Sequence, residues 1–261
     1  METDVADSKK KEVLIEVRGV HRRFMNGAVE VHALRGVDLQ IEAGEFSVLA
    51  GASGSGKTTL LNMIGCLDRP TEGQVFVDGV DVSAFDRREA AEFRLQKIGF
   101  VFQAYNLIPV LSAYENAEFV MLLEGVDKAE RKKTVEGLLK EVGLEGMYDR
   151  RPHELSGGQQ QRVAVVRAIA GKPVIVLADE PTANLDSKAS GELLDLLVDL
   201  NENHGVTFLF SSHDPIVIER SRRVIRLDSG RVVDDGRGKP ADSDDGSVGE
   251  EASKKIAGEE K

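Results

Sequence analysis

The chain has 261 residues, 41% of them hydrophobic, with 45 acidic side chains against 34 basic ones and a formal charge of -11. That length and apolar fraction suffice for one large domain or two small ones with a substantial core. The acidity excludes an overall electrostatic grip on nucleic acid, so any bound anion must be held by local geometry. The single cysteine, Cys66, rules out a disulfide within the chain and reads as part of a buried helix face in "LLNMIGCL". No apolar stretch reaches the roughly 18 to 20 residues that span a bilayer, and the charged start does not read as a signal segment. A cytoplasmic chain is expected, with any membrane role mediated by a partner.

Residues 1–11 read as a disordered, solvated tail. "LIEVRGVHRRF" and "VHALRGVDLQI" then alternate as strands do, and "EFSVLAG" is a continuous apolar run that enters a glycine-rich loop. From Lys57 to Leu67 the pattern is helical. "QVFVDG", closing in a turn at Asp78-Gly79, and "KIGFVFQ" predict further strands. Between Gln103 and Arg162 strand signals stop, and helices are predicted at Ser112 to Leu123, Lys128 to Val142 and Gly157 to Ala170, an inserted helical subdomain. Strands return at "VIVLADE" and "VTFLFSSHD" around a helix over 187–203, the alternation of a parallel sheet. "RVIRLDSGRVVDDG" predicts a hairpin. Residues 236–261 hold no leucine and no aromatic residue, and read as a disordered acidic tail.

The chemistry concentrates at strand ends. "GASGSGKT", residues 51–58, fits G-x-x-x-x-G-K-[ST] with a strand before it and a helix after it, the context a triphosphate cradle needs. Gly51, Gly54 and Gly56 let the backbone fold around phosphate oxygens, Lys57 reaches the β and γ phosphates, and the Thr58 hydroxyl binds Mg²⁺. The strand "VIVLADEP" ends in Asp179, a Mg²⁺ partner, and Glu180, placed to orient or deprotonate the attacking water. His213, at the end of the next apolar strand, is placed to hydrogen-bond the γ phosphate. His21, His32, His153 and His204 have no comparable context. "HELSGGQQQR", residues 153–162, is a second helix start with bare amides, suited to phosphate yet lacking a lysine.

With "GASGSGKT", "LSGGQ", "VIVLADEP" and "SSHD" in this order, the chain closely resembles the nucleotide-binding subunits of ABC transporters over about residues 12–235. The resemblance implies an α/β fold: a P-loop NTPase core of mostly parallel sheet with helices, an N-terminal antiparallel β subdomain, and an α-helical subdomain inserted at about 104–163. It implies ATP and Mg²⁺ as ligands and ATP hydrolysis coupled to transport. ATP contacts would come from Phe24, Gly51, Ala52, Ser53, Gly54, Ser55, Gly56, Lys57, Thr58, Thr59, Gln103 and His213. Gln103 matches a glutamine that senses the γ phosphate and Mg²⁺, and joins Glu180 and His213 in the catalytic set. Phe24 falls where the family places an adenine-stacking aromatic, usually tyrosine; core packing competes for it. Ala183 departs from the glycine usual there.

The same resemblance implies two copies assembled head to tail. Each P-loop would hold ATP against Ser156, Gly157, Gly158, Gln159 and Asp186 of the other copy, which explains a phosphate site without its own lysine. "NMIGCLDRPTEGQV" and "IGFVFQAYNLIPVLSAYEN" resemble the subgroup of lipoprotein release and macrolide export. An integral membrane permease would dock near residues 103–120, leaving the subunit peripheral on the inner face of the membrane. No nucleic-acid partner is expected. Two alternatives are a soluble ATPase of the same family, and a module transmitting force to an external hydrolase or signalling domain.

Overall fold

The computed structural model describes residues 12–27 and 29–236. The tails expected at residues 1–11 and 236–261 lie outside the described residues, Gly236 excepted.

The first elements are two long antiparallel partners, β1 (Val13–Asn26) and β2 (Val29–Glu42). β3 (Phe46–Ala50) is buried at every position, the polar Ser47 included, as a central parallel strand should be. Its end feeds the glycine-rich loop into α1 (Lys57–Ile64). This helix stops earlier than the sequence indicated, because Gly65 caps it and Cys66 turns left-handed at φ 54°. Cys66 is thus buried beyond the helix rather than on its face, and burial pushes its thiol up to about 11. β4 (Glu72–Val77) turns at Asp78-Gly79 into β5 (Val80–Asp81) and pairs with β1 in an antiparallel sheet ordered β2-β1-β4-β5.

α2 (Arg87–Lys97) precedes β6 (Ile98–Phe102) and was not anticipated. Only Ala90 on it is buried, so no apolar period announces it; its signal is the capping box of Asp86 and Glu89. Three helices follow, α3 (Ala113–Leu123), α4 (Lys128–Glu141) and α5 (Gly157–Ala170), N-capped by Ser112, Asp127 and Ser156. They enclose a core of their own, with Ala117, Val135, Leu139 and Val163 at its centre. Ahead of α3, the fully buried Asn116 pins the loop: its amide oxygen accepts from the Ile108 N–H at 2.7 Å, and its nitrogen donates to the carbonyls of Ile108, Leu111 and Ser112.

The remainder is β7 (Ile175–Asp179), α6 (Ser187–His204), β8 (Phe208–Ser212), α7 (Pro215–Arg220), β9 (Arg223–Asp228) and β10 (Arg231–Asp234). The short α7, also unanticipated, starts on a proline and is capped by Asp214. The large sheet is six-stranded in the order β10-β9-β3-β8-β7-β6, parallel throughout except for β10. On one face α5 and α6 cover Phe46, Phe208 and Phe210, whose ring centroids lie 4.7 to 5.7 Å apart. On the other, α1 packs between this sheet and the antiparallel one. Parallel strands all end on one edge, and here the ends are in register: Ala50 beside Ser212, Asp179 beside Ser211, and Phe102 beside Asp179. That edge is where an open α/β sheet binds ligands.

Candidate functional site

The loop after β3 is built for an anion. Gly54 and Gly56 hold φ values of 80° and 107°, and a Cβ on Gly56 would lie 2.8 Å from the Ala33 carbonyl oxygen, so the curve needs glycine. Gly56 caps α1 with no side-chain hydrogen bond, and no acidic residue stands in the first turn, so the amides and the positive helix end stay available. Lys57, only 7% exposed, donates from Nζ to the carbonyls of Gly51 at 2.8 Å and Ala52 at 3.1 Å. The Ser55 Oγ is buried without a partner, an orphan polar atom facing the same loop.

Opposite the loop stand the ends of β7 and β8. Thr58 Oγ1 donates to Asp179 Oδ1 at 3.1 Å, so a hydroxyl and a carboxylate oxygen converge as hard donors of the kind Mg²⁺ selects. The buried Ser211 hydroxyl also donates to Asp179 Oδ1, fixing that carboxylate. Glu180 sits at φ 47°, a conformation unusual for a non-glycine residue and concentrated at functional sites. Its two oxygens are held separately, Oε1 against His213 Nδ1 at 2.8 Å and Oε2 by the Ser212 hydroxyl at 3.1 Å. The His213 side chain is 71% exposed and that of Glu180 17%, so the imidazole faces the opening while the carboxylate is shielded. Ser211 and Ser212 had no assigned role in the sequence reading, although both stand in the quoted "SSHD".

One cleft of about 520 Å³ gathers Ser53, Lys57, Thr58, Gln103, Glu180 and His213. Thr59 and Ala183 share its wall, as do Val31, His32 and Ala33 of β2. His32, given no role in the sequence reading, could have been found only from its register on the strand beside Phe24. Phe24 itself pairs with Val31 and is 39% exposed, with the Arg22 guanidinium 4.3 Å from its ring centroid. It is therefore not core.

The other set of residues is elsewhere. Ser156, Gly157, Gly158, Gln159 and Asp186 line a separate cavity of about 400 Å³ in which no residue of the glycine-rich loop takes part. Ser156 and Gln159 satisfy each other's amides, Ser156 N–H donating to Gln159 Oε1 at 2.9 Å and Gln159 N–H to Ser156 Oγ at 3.3 Å. Asp186 caps α6, accepting from the Ala189 N–H at 2.8 Å.

A strap joins the loops that follow β6 and β7. Asn184 Nδ2 donates to the Gln103 carbonyl at 2.9 Å, and Tyr105 Oη to the Asn184 carbonyl at 3.3 Å. The buried Gln161 amide nitrogen donates to the carbonyl of Pro181 at 2.8 Å and, at 3.4 Å, to that of Phe102. Tyr105 and Asn106 are both left-handed, at φ 60° and 50°, and Arg167 holds their carbonyls at 2.9 and 2.5 Å. Burial pushes the Arg167 guanidinium below its ordinary value.

A glycine-rich anion cradle after β3, with a carboxylate pair at the end of β7 two strands away on the same sheet edge, defines a nucleoside-triphosphate-hydrolysing cassette. The ABC transporter family model matches residues 34–183, and the chain belongs to that family as an ATP-binding, ATP-hydrolysing module. It is 48% identical over 223 residues to the lipoprotein-releasing system ATP-binding protein LolD of Anaeromyxobacter dehalogenans, covering 85% of this chain and 93% of that one. It is 47% identical over 222 residues to the macrolide export ATP-binding/permease protein MacB of Marinobacter nauticus, covering 85% of this chain but 34% of that longer protein. The solved dimeric, post-hydrolysis structure of the ATP-binding cassette MJ0796 bound to ADP and Pi is 42% identical and superposes with a TM-score of 0.78, covering 85% of this chain and 97% of that one. Among the described residues, no helix is long and apolar enough to cross a membrane.

Proposed function

We propose that two copies of this chain close head to tail on two ATP molecules and reopen after hydrolysis, driving a membrane permease of the lipoprotein-release or macrolide-export type. In that arrangement the subunit is cytoplasmic and sits peripherally on the inner face of the membrane. The observation that carries the reading is the separation of the two phosphate-suited helix starts. The α1 cleft has Lys57, Glu180 and His213, with Asp179 held against Thr58 of its wall, but no Ser156, and the α5 cavity has Ser156 and Asp186 but no lysine. A second copy supplies to each what it lacks, and the dimeric MJ0796 cassette supports this assembly.

Lys57 and the amides of residues 51–59 bind the β and γ phosphates, and Thr58 and Asp179, with Gln103, hold Mg²⁺ beside them. The cation, when bound, neutralises charge on the phosphate oxygens. Glu180, fixed by His213 and Ser212, orients the attacking water and accepts its proton. His213, exposed at the opening, hydrogen-bonds the γ phosphate through a ring N–H. Phe24 stacks on adenine. Ser156, Gly157, Gly158 and Gln159 of the second copy close over the γ phosphate, and its Asp186 faces the same nucleotide.

The permease docks in an apolar groove of about 650 Å³ between α2, β6, α3 and α5. Asn106 and Arg167 form part of its wall, so a helix seated there bears on the strap of Tyr105 and Asn184 and through it on the loop after Glu180. Glu180→Gln keeps the shape of the site and loses the proton acceptor. It should lower kcat ~10³-fold and trap an ATP-dependent dimer on gel filtration. A variant still monomeric at saturating ATP, or a wild-type rate per chain that does not vary with dilution, overturns the scheme.

A further inference from the structure

The groove does not end at its apolar floor. Leu67 and Arg94 also line a second, polar cavity of about 690 Å³, so the two form one trough running past the N-terminus of α2. Six arginines and three carboxylates line this trough, in a chain whose formal charge is -11.

Most of these charges are already engaged. Asp68 accepts two hydrogen bonds from Arg22 at 2.8 Å, Arg94 donates to the Cys66 carbonyl at 2.6 Å, and Arg167 holds the carbonyls of Tyr105 and Asn106. Asp86 is taken up by the amides of Arg88 and Glu89. Arg69, Arg87 and Arg88 remain, exposed and with no ion pair to any described residue. Glu92 is the uncommitted carboxylate on the wall. Arg87 and Arg88 also occupy the first turn of α2, where the helix dipole disfavours cations. Helix stability therefore does not explain them, and a recognition role does.

We propose that the trough selects an amphipathic helix whose apolar face fills the groove and whose end at α2 carries carboxylates that pair with Arg69, Arg87 and Arg88. This rests on the groove being the permease dock and adds the chemistry of the segment that enters it. A guanidinium takes a carboxylate through paired N–H donors, and the apolar floor beside it weakens competition from water.

The test uses the full chain and stapled amphipathic peptides of about 16 residues, long enough to hold a helix when stapled. Three versions carry two glutamates, two glutamines or two lysines at one end, and binding is read by fluorescence anisotropy at low and high salt. The glutamate peptide should bind about 10-fold tighter than the glutamine peptide, with the lysine peptide weakest and the gap shrinking as salt rises. In Arg87→Glu/Arg88→Glu the order should invert. That variant should still fold, since acids suit a helix N-terminus.

Leu123→Asp in the groove wall should weaken all three peptides together. If no peptide binds, or Leu123→Asp changes nothing, the dock itself is misplaced. If all three bind equally and Leu123→Asp weakens them, the dock stands and the acidic-end proposal falls. The proposal also falls if the chain floats with phosphatidylglycerol vesicles but not phosphatidylcholine ones, and loses that property in Arg87→Glu/Arg88→Glu. The arginines would then read lipid headgroups.

Discussion

Two helix starts in this molecule suit phosphate, and they are prepared in opposite ways. α1 begins on Gly56 with no side-chain cap, no acid in its first turn and a buried lysine folded over its own loop. α5 begins on Ser156 inside a complete capping box, so part of its amide set is satisfied by its own chain. An uncapped helix end leaves donors that only water or a ligand can satisfy, whereas a capped end is stable by itself. On the proposed scheme α1 is a standing phosphate site and α5 an occasional one, used only when a second copy brings phosphate to it. The lysine belongs where the nucleotide resides, and the cap where the helix must stand alone between encounters.

The sharpest break in this contrast is at α1. Lys57→Ala should lower ATP affinity and turnover together by ~10³-fold, because it removes the charged donor facing the phosphates. Titration with a fluorescent ATP analogue and steady-state kinetics check both. Retained affinity would mean that the bare amides alone hold the nucleotide.

At α5 the two effects should separate. The nearest atom to a Cβ built on Gly158 is the Ala189 Cβ at 3.6 Å, an ordinary contact, so Gly158→Ala fits the isolated chain. It should leave nucleotide binding unchanged while lowering turnover about 100-fold, since the methyl group stands where the phosphate must approach. Gly157 differs: a Cβ there would meet the Tyr105 hydroxyl at 2.7 Å, so its substitution also disturbs the strap. Full turnover in Gly158→Ala would remove α5 from the nucleotide site.

Much of this contrast was legible in the sequence because it is local. The spacing of "GASGSGKT" between a strand and a helix, and of "VIVLADEP" and "SSHD" on apolar strands, fixes which side chains reach one sheet edge. The core strands showed for the same reason, β3 carrying four apolar residues and β8 three, with every position buried. What stayed hidden depends on tertiary neighbours. α2 carries almost no buried face, so no apolar period marks its arginine-rich first turn in the sequence. The pairing of Asn184 with Gln103 joins residues 81 apart in the chain, and no short-range pattern encodes it. The roles of Ser211 and Ser212 follow from the neighbouring strand ends, which appear only once the order of strands is known.

The finest test separates the two duties of Ser156. Ser156→Ala removes the cap, which should cost about 1 kcal/mol of stability and lower Tm by ~2–4 °C. It also removes a phosphate donor, and turnover should fall about 10-fold. Aspartate caps a helix as well as serine does, so Ser156→Asp should restore Tm in a thermal melt. Its carboxylate, however, repels the γ phosphate brought by the second copy, so turnover should stay low. Recovery of Tm without recovery of turnover would show that the serine is kept at α5 because it can do both: cap the helix in the single chain and give up that bond to phosphate when the pair closes. Recovery of both would reduce Ser156 to a cap, and the difference between the two helix starts would no longer concern phosphate.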